Sequence, residues 1–107
     1  MAEPASARRV EFHPGAEAEY LAEIDRLALI DPLVAGDFAH DVSAGVALIL
    51  DHPQAGSMLG RSKVLRKKVL WKFRFTLIYA VDTDLIRIIA VAHNSRRPGY
   101  WRDRLKN

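Results

Sequence analysis

The sequence predicts an α+β fold: a helical hairpin packed on one face of a mainly antiparallel β-sheet, preceded by one strand and followed by a short tail. Three observations carry this. Apolar residues recur at helical spacing through the first half of the chain. After Arg61 the apolar period changes from about 3.6 to 2, and β-branched and aromatic residues take over. Pro14, Pro32 and Pro53 stand where two consecutive helices would begin and end.

Arg8 to Phe12 reads Arg-Arg-Val-Glu-Phe, and the alternation of Val10 and Phe12 with polar residues predicts a short strand. Pro14 suits the first position of a helix, which is expected to run to about Ile30. Tyr20, Ile24 and Leu27 form its apolar stripe, with Leu21 and Ala28 alongside. Glu17, Glu19, Glu23 and Asp25 make its outer face acidic. Asp31-Pro32 combines a good N-cap with a good first residue, so a second helix is expected from Pro32 to about Asp51, with Phe38, Val42, Val46 and Ile49 as its stripe. The tight joint makes the two helices an antiparallel hairpin. His52-Pro53 ends the second helix, and Gln54 to Gly60 reads as a loop.

Strands are expected at Lys63 to Trp71, Phe73 to Val81 and Leu85 to Ala92, the last two joined by the polar turn Asp82-Thr83-Asp84. In the second of these, Leu77, Tyr79 and Val81 face opposite to Thr76, Ile78 and Ala80. Both faces of the last two strands are apolar, so they should be central and covered by the helices on at least one side. His93 to Asn107 is a polar, arginine-rich tail with room for one helical turn around Trp101. Helices on one face of such a sheet define the α+β class.

A chain of 107 residues with half its residues hydrophobic and 27% charged is read as one globular domain over 8–107, with 1–7 as a disordered tail. The absence of cysteine excludes disulfides and thiolate metal sites and fits a cytoplasmic protein. Met1 to Ser6 lacks the apolar segment of a signal peptide, and no uninterrupted apolar run approaches a membrane span, so no membrane partner is expected. Charge is unevenly placed. Residues 1–60 carry three Arg against ten Asp and Glu, and residues 61–107 carry thirteen Lys and Arg against three Asp. Such asymmetry suits an anionic partner, nucleic acid first and an acidic protein segment second, with a solvated basic face as the plain alternative.

The element order and four words of sequence resemble the RelE/ParE toxin superfamily. The words are Phe12-His13-Pro14 before a Glu-rich helix, Phe75-Thr76-Leu77-Ile78-Tyr79-Ala80-Val81, Ile88-Ile89-Ala90-Val91-Ala92-His93, and Arg96-Arg97-Pro98-Gly99-Tyr100-Trp101. The resemblance covers about Val10 to Leu105. It implies a small cytoplasmic toxin of a type II toxin–antitoxin system. Its cognate antitoxin would wrap the toxin and block its working surface, and promoter DNA would be bound only through that antitoxin. Two modes of action are implied: ParE-like members poison DNA gyrase without known chemistry, and RelE-like members cut mRNA in the ribosomal A site. No cofactor is implied. RelE-like nucleases carry an Arg just before the Leu-Val-Tyr of the central strand, whereas Thr76 stands here, which favours the ParE-like mode.

Metal-free RNA cleavage needs a base for the 2′-hydroxyl, an acid for the leaving oxygen and cations for the phosphate. If the chain is a nuclease, His93 and Tyr100 are the candidates for proton transfer, and Arg74 and Arg97 for the phosphate. Arg66, Lys67, Lys68, Arg96, Arg97 and Trp101 are the candidate target-binding residues, Trp101 by stacking. Tyr20, Leu21 and Phe38 are the candidate antitoxin contacts on the helices. Each has a plainer reading: His93 caps its own strand end, Tyr100 and Trp101 fold back on the sheet, and Lys67, Lys68 and Lys72 guard an edge strand. Tyr79 reads as core. No HExxH, paired-histidine set or carboxylate cluster marks a metal site, and Gly56 and Gly60 read as turn glycines. A non-toxic binding adaptor with the same fold stands as a third possibility.

Overall fold

The computed structural model describes residues 8–106. The expected disordered tail at 1–7 lies outside the described residues. The elements run β1 (Arg9–Phe12), α1 (Pro14–Ile30), α2 (Pro32–Asp51), β2 (Ser57–Met58), β3 (Leu65–Leu70), β4 (Phe75–Val81), β5 (Leu85–His93) and a 3-10 turn (Arg102–Lys106). The five strands form one sheet in the order β1-β5-β4-β3-β2. All pairings are antiparallel except β1 with β5, which is parallel.

Local chemistry explains the helix boundaries. His13 caps α1: its Nδ1 accepts from Gly15 N–H at 2.9 Å. Asp31 ends α1 and caps α2: its N–H donates to Leu27 O at 2.8 Å and its Oδ1 accepts from Leu33 N–H at 3.0 Å. One residue thus closes both helix ends, which keeps the hairpin joint tight. The buried face of α2, Ala35, Phe38, Val42, Gly45 and Ile49, meets Leu70, Phe75, Leu77 and Tyr79 of the sheet together with Leu27 of α1. Gly45 lets the helix approach closely, since a Cβ there would stand 3.1 Å from both Leu70 and Leu77. With its 20 residues, α2 is long and apolar enough to cross a membrane by length and composition alone, although Asp37, His40 and Asp41 break any continuous run. Its apolar stripe is a wall of the core.

The sheet departs from the sequence expectation in several places, and the strand expected over Lys63 to Trp71 is shorter, Leu65–Leu70. Ser57–Met58, read as loop, pairs with Lys67 and Arg66 as a short edge strand. Phe73 and Arg74, read as the start of a strand, lie in the turn joining β3 to β4, and Arg74 has φ +61 there. The tail covers the second apolar face. Leu65, Ile78, Ile89, Ala90 and Ala92 pack with Trp101 on the side away from the helices. A bulge in β5 serves both faces: the register steps from Ile78↔Ala90 to Tyr79↔Ile88, so Ile89 is an extra residue. Ile88 and Val91 enter the helix-side core, while Ile89 and Ala90 enter the tail-side one.

Candidate functional site

Strand alternation splits the basic run of β3. Lys67 stands opposite Ile78 and points to the tail side. Arg66 and Lys68, opposite Tyr79 and Leu77, belong to the helix side. The expected single cationic surface is therefore two. Lys67 joins His93, Arg96, Arg97 and Arg102 around a cleft of about 270 Å³, whose floor is Thr76 and Ala92. Arg66 faces a separate well near Arg8 and Lys63.

The tail that shapes the cleft is fastened by Glu19 of α1. Glu19 Oε1 accepts from Arg104 Nη1 at 3.0 Å and from Val91 N–H at 3.0 Å. Oε2 accepts from Arg104 Nη2 at 3.0 Å and from the Tyr100 hydroxyl. Arg104 Nη1 also donates to Ile89 O at 2.9 Å. β1 ends at Phe12, opposite Ile88, so the edge of β5 beyond it has no strand partner. The carboxylate and the guanidinium satisfy its N–H and C=O groups in place of a strand. A Cβ on Gly15 would stand 2.6 Å from Arg104 Cζ, so the glycine makes room for the guanidinium.

This latch defines what Tyr100 can do. Burial first, then its hydrogen bond to Glu19, pushes the phenol up to about 12. Its hydroxyl is a donor committed to a carboxylate, and Arg96 and Arg104 lie over its ring with guanidinium carbons 4.0 and 5.3 Å from the centroid. His93 ends β5. Its Nδ1 accepts from Ser95 N–H at 3.1 Å and lies 2.7 Å from Ser95 Oγ, and its ring meets Phe75 edge-on at 5.1 Å. It caps its own strand end. Thr76 Oγ1 lies 2.6 Å from Asn94 Oδ1 and donates to it, joining the cleft floor to the tail.

Other sequence-derived candidates are placed differently. Trp101 is only 4% exposed and is core of the tail-side face, so its indole offers no surface for stacking a base. Arg74 is not on a strand. Its carbonyl accepts from Asn94 N–H at 2.8 Å, which puts the turn beside the tail. Arg96 and Arg97 are exposed at the cleft. On the helices, Phe38 is fully buried, with Phe73 and Phe75 rings at 5.4 and 5.0 Å, and presents nothing to a partner. Tyr20 is half-buried against Phe12 and Phe38, and Leu21 is 49% exposed. Among the described residues no group of three or more His, Asp or Glu could hold a metal ion.

Sequence reasoning missed Glu19, Arg104, Gly15, Arg102 and Asn94. Glu19 reads as one more acid on an outer face, and no local pattern links it to Arg104.

A two-helix hairpin on this mixed sheet, with an arginine-rich tail across the opposite face, defines the class of small RelE/ParE-like toxins. Within that class the chain belongs to the ParE toxin family: the family described as "ParE toxin of type II toxin-antitoxin system, parDE" matches residues 10–98. Among solved structures it is similar to a chain of the "Chromosomal ParDE TA system from P. aeruginosa", with a TM-score of 0.68 and 19% identity over 82% of this chain and 97% of that one. At that identity the likeness is one of fold. No curated protein sequence matches.

Proposed function

We propose that the chain is a ParE-like growth inhibitor that acts in the cytoplasm on DNA gyrase by binding, through the cationic cleft, and is neutralised by a cognate antitoxin. The observation that carries this reading is the state of the two best acid–base candidates beside that cleft. Tyr100 holds its proton on Glu19, with the phenol pushed up to about 12, and His93 has one ring nitrogen occupied by its own strand end. A phenol raised this far and committed to a carboxylate is a poor proton shuttle at neutral pH. Lys67, Arg96, Arg97 and Arg102 remain as cations suited to an anionic surface.

The antitoxin reading rests on family membership and on exposed apolar side chains of the hairpin. Leu21, Leu29, Ile30 and Leu33 are all exposed, and such residues suit the apolar side of a segment that folds as it binds. Promoter DNA would be reached only through the antitoxin. The test is direct. Purified toxin is added to a gyrase supercoiling reaction and, in parallel, to translating ribosomes. Inhibition of supercoiling with intact mRNA is expected. Codon-positioned mRNA cuts with unaffected gyrase would replace this reading with the RelE-like nuclease. Normal growth on expression without a partner would replace it with the non-toxic adaptor.

A further inference from the structure

The helix-side well contains a charge arrangement that the outer cleft does not use. It has a volume of about 460 Å³ and lies at the C-terminal end of α2. Three cations line it from separate parts of the chain: Arg8 precedes β1, Lys63 precedes β3, and Arg66 is in β3. Asp51 is the one acid among the described lining residues, and His52 stands beside it. Arg66 is held in place because its Nη1 donates to Gly56 O at 2.7 Å. Arg8 Nε is buried with no hydrogen-bond partner among the described residues. Among the described residues, none of the three cations forms an ion pair there.

Three cations that converge on one cavity repel one another unless an anion joins them. Against Asp51 they leave an excess of two positive charges, and they come from three separate segments of the chain. A planar carboxylate accepts at about four lone-pair sites that all lie in one plane. A tetrahedral phosphate offers oxygens in more directions and takes donors from several sides at once. We propose that this well is a phosphate-binding site, formed by Arg8, Lys63 and Arg66. Polynucleotide backbones are one source of such a group and free phosphate or nucleotides are another. The site stands on the helix side of the sheet and needs neither the outer cleft nor the identity of the toxin's target.

The test titrates inorganic phosphate and, separately, a short mixed-sequence DNA duplex into the full chain at low ionic strength, followed by amide NMR shifts and by calorimetry. Shifts at Arg8, Lys63 and Arg66 are expected with phosphate. The double variant Arg8→Gln with Lys63→Gln should weaken phosphate binding by about tenfold or more. Arg66 is kept because it also holds the Gly56 loop. Arg26→Gln, near the other end of α1, should leave phosphate affinity unchanged. If the duplex is the natural source, it binds at the same amides and the double variant lowers the slope of log K against log salt by roughly 2, about 0.9 per lost contact. Phosphate binding without duplex binding assigns the well to free phosphate or a nucleotide. Equal phosphate affinity in a folded double variant overturns the proposal. So does a well that ignores phosphate and takes a polyglutamate peptide, which would make it a seat for an acidic protein.

Discussion

Glu19 and Arg104 stand 85 residues apart in sequence and meet in a two-pronged ion pair, with both N–O distances at 3.0 Å. The pair is mostly removed from water, with side-chain exposures of 16% and 19%. It also satisfies Val91 N–H and Ile89 O on the open edge of β5. Removing one partner therefore leaves a charge and a strand edge unsatisfied together. Glu19→Ala is expected to destabilise the fold by about 2–3 kcal/mol. Thermal melting should then drop by roughly 10 °C or more. A melt within 2 °C of the parent, taken as roughly the threshold for a negligible change, would deny the latch its structural role.

Gly15 permits that latch, and a double-mutant cycle tests how. In an otherwise intact chain Gly15→Ala drives a Cβ into the Arg104 guanidinium and should destabilise. In the Arg104→Ala background the obstacle is gone. There the same substitution should be neutral or stabilising by up to about 1 kcal/mol, because Ala favours helix over Gly. Additive effects in the four chemical-denaturation curves would show that the two residues do not communicate.

The Tyr100 phenol adds a pH signature. Its folded value, raised by burial and by Glu19 to about 12, lies above the ordinary 10. A group raised in the folded state favours folding fully below the unfolded value, and that contribution is lost as pH rises from about 10 through about 12. Stability should therefore decline across this alkaline window in the parent and decline less in Tyr100→Phe. Ultraviolet titration of tyrosinate should lose one late-titrating phenol in Tyr100→Phe, while the buried Tyr79, also raised above its ordinary value, keeps its own late step. An unchanged titration in the variant would contradict the placement of the hydroxyl.

The helices were legible in sequence because their signals are local. Asp31 as cap, Pro14 and Pro32 as first residues, and stripes at helical spacing all lie within one or two turns. The two-sided apolarity of Ile78 to Ala92 was legible for the same reason, but what covered the second face was not. Trp101 and Tyr100 are ordinary tail aromatics until the bulge at Ile89 aims two consecutive apolar residues at them. The basic run Arg66-Lys67-Lys68 looked like one surface because charge sums ignore side-chain alternation. Strand geometry alone sends Lys67 one way and its neighbours the other. Glu19 with Arg104 was illegible because a long-range pair leaves no periodic trace.

Cleft and core make opposite demands on the tail, and two substitutions separate them. Arg97 is exposed at the cleft, so Arg97→Ala should leave the melt unchanged while reducing growth arrest on induction. Trp101 is buried core, and Trp101→Ala should cost about 3–5 kcal/mol through the cavity it leaves. Any loss of arrest in that variant would follow loss of fold. A folded Trp101→Ala protein with a normal melt and no toxicity would restore Trp101 as a direct contact.

Arg74 offers a test in the stabilising direction. Its φ of +61 places a long, branched-charge side chain in the left-handed region, which glycine occupies without a steric penalty. The conformation is imposed from both sides: Arg74 N–H donates to Trp71 O at 3.3 Å, closing the turn, and Arg74 O accepts from Asn94 at 2.8 Å. Neither bond uses the side chain, so both survive substitution. Arg74→Gly should raise stability by about 0.5–1 kcal/mol, part of the relief being offset by greater freedom of the unfolded chain. If the guanidinium serves no target, growth arrest should be unchanged in this variant. A more stable protein that no longer arrests growth would instead show that the strained residue is retained for its charge beside the Asn94 end of the cleft.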